Sequence, residues 1–456
     1  MTGKRLLLNL FEMGTPTHIT HGLWRLPGND RHRYTDIAYW QELAVALEEG
    51  GFDAVFLADV VGAYDVFRGG FDDALREGLQ LPNIDPLLVI PVMAAVTKRL
   101  GFGVTFSTSY EPPFAFARRM STLDHLTRGR VGWNVVTSYL PNAARSFGLT
   151  EEIPHDERYA IAAEYLDVVY KLWEGSWDDD AVQRDAARGV YTDPAKVRRI
   201  DHVGPRFSVA GPHLSEPGPQ RTPVIFQATA SPVGIALAAQ HAELVFTIQW
   251  GATVHATVQA FRDAAVAAGR ERDSLKVLVQ SAVFVAGTEA EARAKLETYR
   301  AFRSEIGLFV HTSTVFDPTQ HAPSTIVADA VAAEGGDLGA VRPLLRGLTV
   351  AEYTAAVDEA WTEEFLAVGD PEQVADRIEH WLDVDDVDGI NLRQYHSFDT
   401  VRDFARYVTP VLRRRGRLPE ADDAEGVTLR ERLFGRGPRL PDTHPARRYR
   451  GGAHLG

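Results

Sequence analysis

The sequence predicts an α/β fold, a (β/α)8 TIM barrel with long insertions, and three observations predict it. Eight short apolar runs recur along the 456 residues, most of them separated by a longer segment of helical periodicity. The runs are apolar almost throughout instead of alternating, as strands buried on both faces must be. The residues beyond the roughly 250 of a plain barrel fall into a few identifiable blocks.

The elements follow in order. LLLNLFE (6–12) reads as strand one, and DIAYWQELAVALEEGG (36–51) as a helix stopped by its two glycines. DAVFLAD (53–59) is strand two, DPLLVIPVMAAVTKR (85–99) a helix and LGFGVTFST (100–108) strand three. PFAFARRMSTLDHLTRG (113–129) is a helix, RVGWNVVTS (130–138) strand four, and DERYAIAAEYLDVVYKLWEG (156–175) a long helix. PVIFQAT (223–229), LVFTIQ (244–249) and KVLVQSAVFVAG (276–287) are strands five to seven, with a helix at SPVGIALAAQHA (231–242). PEQVADRIEHWLDV (371–384) leads into strand eight, GINLR (389–393), and a helix at 398–412 closes the set. Residues 1–412 are thus expected to form one barrel, with insertions at 60–84, 176–222 (a hairpin near 198–209) and 305–368. Residues 413–456 form an Arg- and Pro-rich tail, expected to contact a neighbouring subunit.

Composition narrows the function. With 48 Lys+Arg against 62 Asp+Glu the net charge is −14, which argues against nucleic acid and anionic membranes. A hydrophobic content of 45% excludes disorder as the main state. There is no cysteine, so disulfides, thiolate metal sites and cysteine nucleophiles are excluded together. The first apolar stretch is broken by Asn9 and Glu12, so no signal peptide is expected, and no run approaches a membrane span. A soluble, cytoplasmic protein is expected.

In a barrel of this kind the site stands at the C-terminal ends of the strands. There the sequence places Asp59, Thr105, Ser107, Asn134, Ser138, Thr229, Ser231 and Arg393. Hydroxyls and amides dominate, which suits a polar heterocycle and not the carboxyl pair of a glycosidase. Ser231 opens a helix directly after strand five, with Pro232 behind it; that is both an N-cap and a potential anion site. His155 and Tyr159 are four residues apart at a helix start and share a face. His18 and His21 flank a turn after strand one, near Phe11, Trp24 and Phe56, which are candidates for an apolar pocket. Arg25 and Arg393 are the cations expected at the mouth. GFGVTF (101–106) lacks the third glycine of a dinucleotide fingerprint, and no P-loop is present, so redox equivalents are expected on a flavin. A barrel metallohydrolase using His18, His21 and His155 is the competing class.

Taken together, THITHGLWR (17–25), FDAVFLAD (52–59), MAAVTKRLGFGVTFST (93–108), TLDHLTRGRVGWNVVTS (122–138), HDERY (155–159), YKLWEGSWDDDAV (170–182) and TPVIFQATASPVG (222–234) resemble the bacterial luciferase-like, flavin-dependent two-component monooxygenases. The branch resembled is that of nitrilotriacetate monooxygenase, dibenzothiophene sulfone monooxygenase and pristinamycin synthase. Within it ADVVGAYDVFRGGFDDALREG (58–78) and THPARRYR (443–450) look most like dimethyl sulfide monooxygenase large subunits. The resemblance implies FMN, used reduced as FMNH2, bound by Asp59, Thr105, His155, Tyr159 and Ser231. It implies His18, His21 and Asn134 as candidate catalytic residues, and no metal. It also implies O2 and a small organosulfur substrate, a separate NAD(P)H:flavin reductase as partner, and a homo-oligomer, dimer or tetramer.

Overall fold

The computed structural model describes residues 3–247, 254–362, 365–420 and 426–455. Eight parallel strands close into a barrel: β1 (Leu7–Met13), β2 (Ala54–Ala58), β3 (Gly101–Ser107), β4 (Val131–Val136), β5 (Val224–Ala228), β6 (Leu244–Thr247), β7 (Lys276–Val285) and β8 (Gly389–Arg393). Each pairs with the next, and β8 returns to β1 through Leu7↔Gly389 to Phe11↔Arg393. Seven lie within the expected runs and β1 runs one residue past its own, to Met13; residues 248 and 249 of the sixth run lie outside the described residues. A further strand, Leu366–Gly369, pairs with the upper half of β7 outside the barrel.

Among the described residues the barrel is covered by α1 (Ile37–Glu49), α2 (Pro86–Ala94), α3 (Pro113–Leu126), α4 (His155–Tyr170), α5 (Pro232–His241), α6 (Val254–Ala267) and α7 (Pro371–Asp383), and the helix expected after β8 runs over 399–414 with a π-helical turn at Phe404–Val408. Several begin on side-chain caps, such as Asp36 accepting from Ala38 N–H and Asp370 accepting from Glu372 and Gln373. The helix after β2 is shorter than expected, ending at Ala94 instead of residue 99. Among the longer helices, α6, Glu289–Ala301 and Val350–Thr362 are left unassigned by the sequence reading. Among the described residues no helix is long and apolar enough to cross a membrane.

The barrel interior is filled from the middle by Phe56, Phe226 and Phe246, whose ring centroids lie 4.3 to 6.3 Å apart. Gly103 and Gly132 make this possible. A Cβ on either would stand 2.7 or 2.4 Å from the Phe226 ring, so the rings occupy space that any other residue would fill.

The floor is sealed from an unexpected place. Residues Leu429–Phe434 form a short helix whose Leu429 and Leu433 pack among Leu7, Ala54, Val224, Leu244 and Leu278. Each such leucine is worth about 1.5–3 kcal/mol of burial. Between them Arg430, 1% exposed, forks onto Glu243 at 2.7 and 2.9 Å and caps the Thr222 and Pro223 carbonyls. Residues Pro445–Gly452 then pack on the π-helical turn Lys171–Gly175 that extends α4. The described tail therefore lies on its own barrel, because an open barrel floor is apolar surface that must be covered.

The first and third insertions meet over the mouth, while the second lies against the outer face of α4 and the barrel floor. Tyr64, Phe67 and Leu79 of the first are buried against Phe309 and Val310 of helix Glu305–His311 in the third. The second carries two small hairpins, Val182–Asp185 with Val190–Thr192 and His202–Val203 with Ser208–Val209; the latter falls within the expected span.

Candidate functional site

At the C-terminal ends of the strands lies a cavity of about 370 Å³. Its wall brings together Asp59, Thr105, His155, Tyr159 and Ser231, with Ser107, Arg158 and Thr229 beside them.

One end is a cradle. Ser231 is the N-cap of α5, and its Oγ accepts from Gly234 N–H at 3.1 Å. A Cβ on Gly234 would lie 1.9 Å from Thr229 Oγ1, 2.8 Å from Tyr159 Oη and 3.0 Å from Ser231 Oγ. Three hydroxyls thus converge on one point at the positive end of a helix, which is the donor set a phosphate requires. His155 is the first residue of α4 and stands half exposed at the rim, its ring 5.1 Å from that of Tyr159 and its Nδ1 2.8 Å from Asp156 Oδ1. Arg158, buried, pairs with Glu152 and donates to the Ser138 carbonyl.

The other end of the cavity meets Asp59, at the tip of β2. Burial chiefly, and the Asp85 charge next, push its carboxyl up to about 7, against a bond from the Val60 N–H. Near neutrality it can therefore either donate or accept. Thr105 is held from behind by Asn134, whose Nδ2 donates to Thr105 Oγ1 at 3.0 Å. Asn134 is not in the cavity wall; its Oδ1 is buried in the barrel without a partner. Asp59, Val60, Val61 and Ser107 also bound a second cavity of about 410 Å³, which Gln80, Asp85 and Glu111 help to line and whose wall holds no lysine or arginine.

His18 and His21 are in neither wall. They belong to a buried cluster built around His311, 290 residues beyond His21 in sequence. His18 meets the Phe11 ring edge-on at 4.3 Å. His21 Nε2 lies 2.8 Å from His311 Nδ1, and Gln80 Nε2 lies 3.3 Å from His311 Nε2 and donates to the His18 carbonyl at 3.2 Å. Gln80 Nε2 is a donor, so His311 Nε2 must accept; His311 Nδ1 then carries the proton and donates to His21. Burial, first, holds all three imidazoles neutral. His18 is lowered further by Arg31, His311 and Arg393, and His21 by His311, Arg303, Arg393 and His18. His311 falls to about 3, with Arg393 as the second cause. The sequence reading takes His18 and His21 as candidate catalytic residues; burial keeps both neutral, and His21 shares a hydrogen-bonded chain with His311 and Gln80.

Other expected residues are placed differently. Phe56 packs down into the barrel core, and Trp24 is 45% exposed. Arg25 turns onto the Gly22 and Phe302 carbonyls, and Arg393 is buried with its Nη2 on Gln280. His18, His21 and His155 do not gather: among the described residues no group of three or more His, Asp or Glu could hold a metal. Sequence reasoning missed Gln80, Arg158 and His311. Thr229 had a signal, since it stands two residues before the Ser231 cap; His311 had none, since only the folded insertions bring it to His21.

Residues 17–384 match the luciferase-like monooxygenase family. The chain is 48% identical to the long-chain alkane monooxygenase of Geobacillus thermodenitrificans over 451 residues, covering 98% of each chain. It is 42% identical to the dimethyl-sulfide monooxygenase of Hyphomicrobium sulfonivorans, over 98% of this chain and 94% of that one. Its fold superposes on the crystal structure of a riboflavin lyase holding a modified FMN and riboflavin, with a TM-score of 0.85 and 37% identity over 98% of this chain and all of the other. With its closed parallel barrel, and with a match that runs from the His18 loop through α7, the chain belongs to the luciferase-like monooxygenase family of flavin-dependent oxidoreductases.

Proposed function

We propose that this protein is the oxygenase component of a two-component system, using FMNH2 and O2 to oxygenate a small uncharged organic molecule. The observation that carries the FMN assignment is the hydroxyl cradle around Gly234 at the N-terminus of α5. Ser231, Thr229 and Tyr159 would hold the phosphate there, with His155 at the rim, and Asp59, Thr105 and the Asn134 behind it would meet the flavin ring. Bound reduced flavin would supply the two electrons that activate O2, one atom of which goes to the substrate and the other to water. The chain's own residues do the rest. The 60–84 insertion, packed on helix 305–311, keeps water from the mouth. The hydrogen-bonded His21–His311 pair, with Gln80 fixing the His311 tautomer, can pass a proton without carrying a buried charge.

The walls bear on the substrate. The second cavity presents Asp59, Asp85 and Glu111 and no cation, while Arg25 and Arg393 are engaged elsewhere. A polycarboxylate would meet repulsion there. An organosulfur compound such as dimethyl sulfide meets this requirement; so does an alkane, a second reading favoured by the 48% identical relative. A separate NAD(P)H:flavin reductase would supply the FMNH2, since the chain lacks a dinucleotide fingerprint. We place the enzyme, as a homo-oligomer, in the cytoplasm. The test is an oxygenation screen with a flavin reductase, O2, thioethers and n-alkanes of increasing length. Substrate-dependent product is the expected result; hydrogen peroxide alone with every compound overturns the reading.

A further inference from the structure

The turn that leads to His18 and His21 is gathered by one buried ion pair. Glu12, on β1, is 0% exposed and Arg31 is 2% exposed. Arg31 Nη1 donates to Glu12 Oε2 at 3.0 Å, and Nη2 lies 2.6 Å from Glu12 Oε1. The rest of the guanidinium is spent on main chain: Nε donates to the Pro16 carbonyl at 3.2 Å, and Nη2 to those of Met13 and Thr15 at 3.3 and 3.2 Å. Glu12 in turn accepts from Met13 N–H at 2.8 Å and from the side-chain amide of Gln394. Gln394 directly follows Arg393, at the end of β8. So one pair ties the ends of β1 and β8 to the carbonyls of residues 13, 15 and 16, with His18 next along the chain. A pair this deep is weak evidence for a stability role, because desolvating both charges offsets most of their attraction. A single multi-toothed cation does give a turn one conformation.

We propose that Glu12 and Arg31 are positioning residues for the oxygenation: they set where the His18–His21 turn lies against His311. This rests on the oxygenase reading above. A second observation points the same way. After burial, Arg31 is the strongest influence keeping His18 neutral, followed by His311 on helix 305–311 and Arg393 on β8. Glu12 faces the same group only through Arg31, whose charge it offsets. The pair therefore governs both the place and the charge state of the first histidine.

The test uses the full-length enzyme as Arg31→Lys, which keeps the charge and loses the fork, and as the uncharged double variant Glu12→Gln/Arg31→Met. Flavin titration, the share of consumed O2 recovered as product, and histidine Cε1–H NMR titration are read on each. Arg31→Lys is expected to bind FMN within about twofold of the parent, while its product share falls about tenfold, with hydrogen peroxide taking the difference. The double variant is expected to move the His18 titration midpoint upward. An unchanged product share in Arg31→Lys, or FMN affinity and product lost in parallel, overturns the proposal. The NMR arm needs no substrate. If the parent oxygenates nothing, the oxygenase reading fails, and an unmoved His18 resonance then overturns the positioning claim independently.

Discussion

The two sides of the barrel mouth are built in opposite ways. On the α4–α5 side, the cradle is assembled from short-range pieces: Thr229, Ser231 and Gly234 lie within six residues, and Tyr159 comes in from the start of the neighbouring helix α4. On the β1 side, the histidine relay joins residues 18, 21, 80 and 311, drawn from three separate loops and insertions. The first is a hydroxyl-lined, open receptor for a charged group. The second is a buried, neutral network. The difference teaches that the proposed phosphate cradle is encoded locally in this barrel, while the histidine network depends on the whole mouth being folded.

That contrast can be broken by substitution. Gly234→Ala places a methyl among the three hydroxyls, and losing several charge-assisted bonds of about 1.5–3 kcal/mol each should weaken FMN binding by on the order of 1000-fold. The histidine relay should be untouched, so histidine NMR spectra should match the parent; an FMN affinity within tenfold of the parent would show that the phosphate sits elsewhere. His311→Leu is the converse. FMN affinity should hold within about twofold while product formation falls about 100-fold, in the range of a lost proton-transfer group, as measured by substrate-dependent turnover.

Two buried groups of the mouth should also answer pH with opposite signs. Asp59 has a folded value of about 7 against an ordinary 3.8, so the folded state keeps a proton that the unfolded chain releases. Its contribution is full below the ordinary value and is lost as pH rises through about 7. His311, with a folded value of about 3 against 6.5, excludes a proton that the unfolded chain takes up; its contribution is present above 6.5 and lost as pH falls toward 3. Thermal midpoints measured across this range should therefore fall less steeply with rising pH in Asp59→Asn, and less steeply with falling pH in His311→Leu. Identical slopes in both variants and the parent would refute the assignment. The smallest effect is expected from Ser231→Ala, about 1 kcal/mol of helix-cap stability and a several-fold loss of FMN affinity, since Thr229, Tyr159 and the helix end remain.

Most of the barrel was legible because its strands are local: every one of the eight apolar runs overlaps an observed strand. The cradle was legible for the same reason, since an N-cap serine after a strand is a sequence-level signal. His311 was not, because a histidine in a long polar insertion looks like any other until Phe309 and Val310 anchor its helix on Tyr64 and Phe67. The helices α6 and Glu289–Ala301 were missed although the latter opens on a full capping box, Thr288 with Glu291. The tail misled for a physical reason. Its charge suggests a solvated or partner-facing segment, yet Arg430 is spent inside on Glu243, and Leu429 and Leu433 are the buried groups that matter.

The floor helix has a consequence for how the molecule comes into being. Residues 429–433 are translated only after all eight strands and their helices exist. At about 5–20 residues per second, the final seal on the barrel arrives tens of seconds after the first strand has emerged. Until then the lower ends of Leu7, Val224, Leu244 and Leu278 face an unfinished opening. The nascent barrel therefore passes through a window in which its apolar floor is open to other chains, and chaperone dependence during expression should end when this short helix docks.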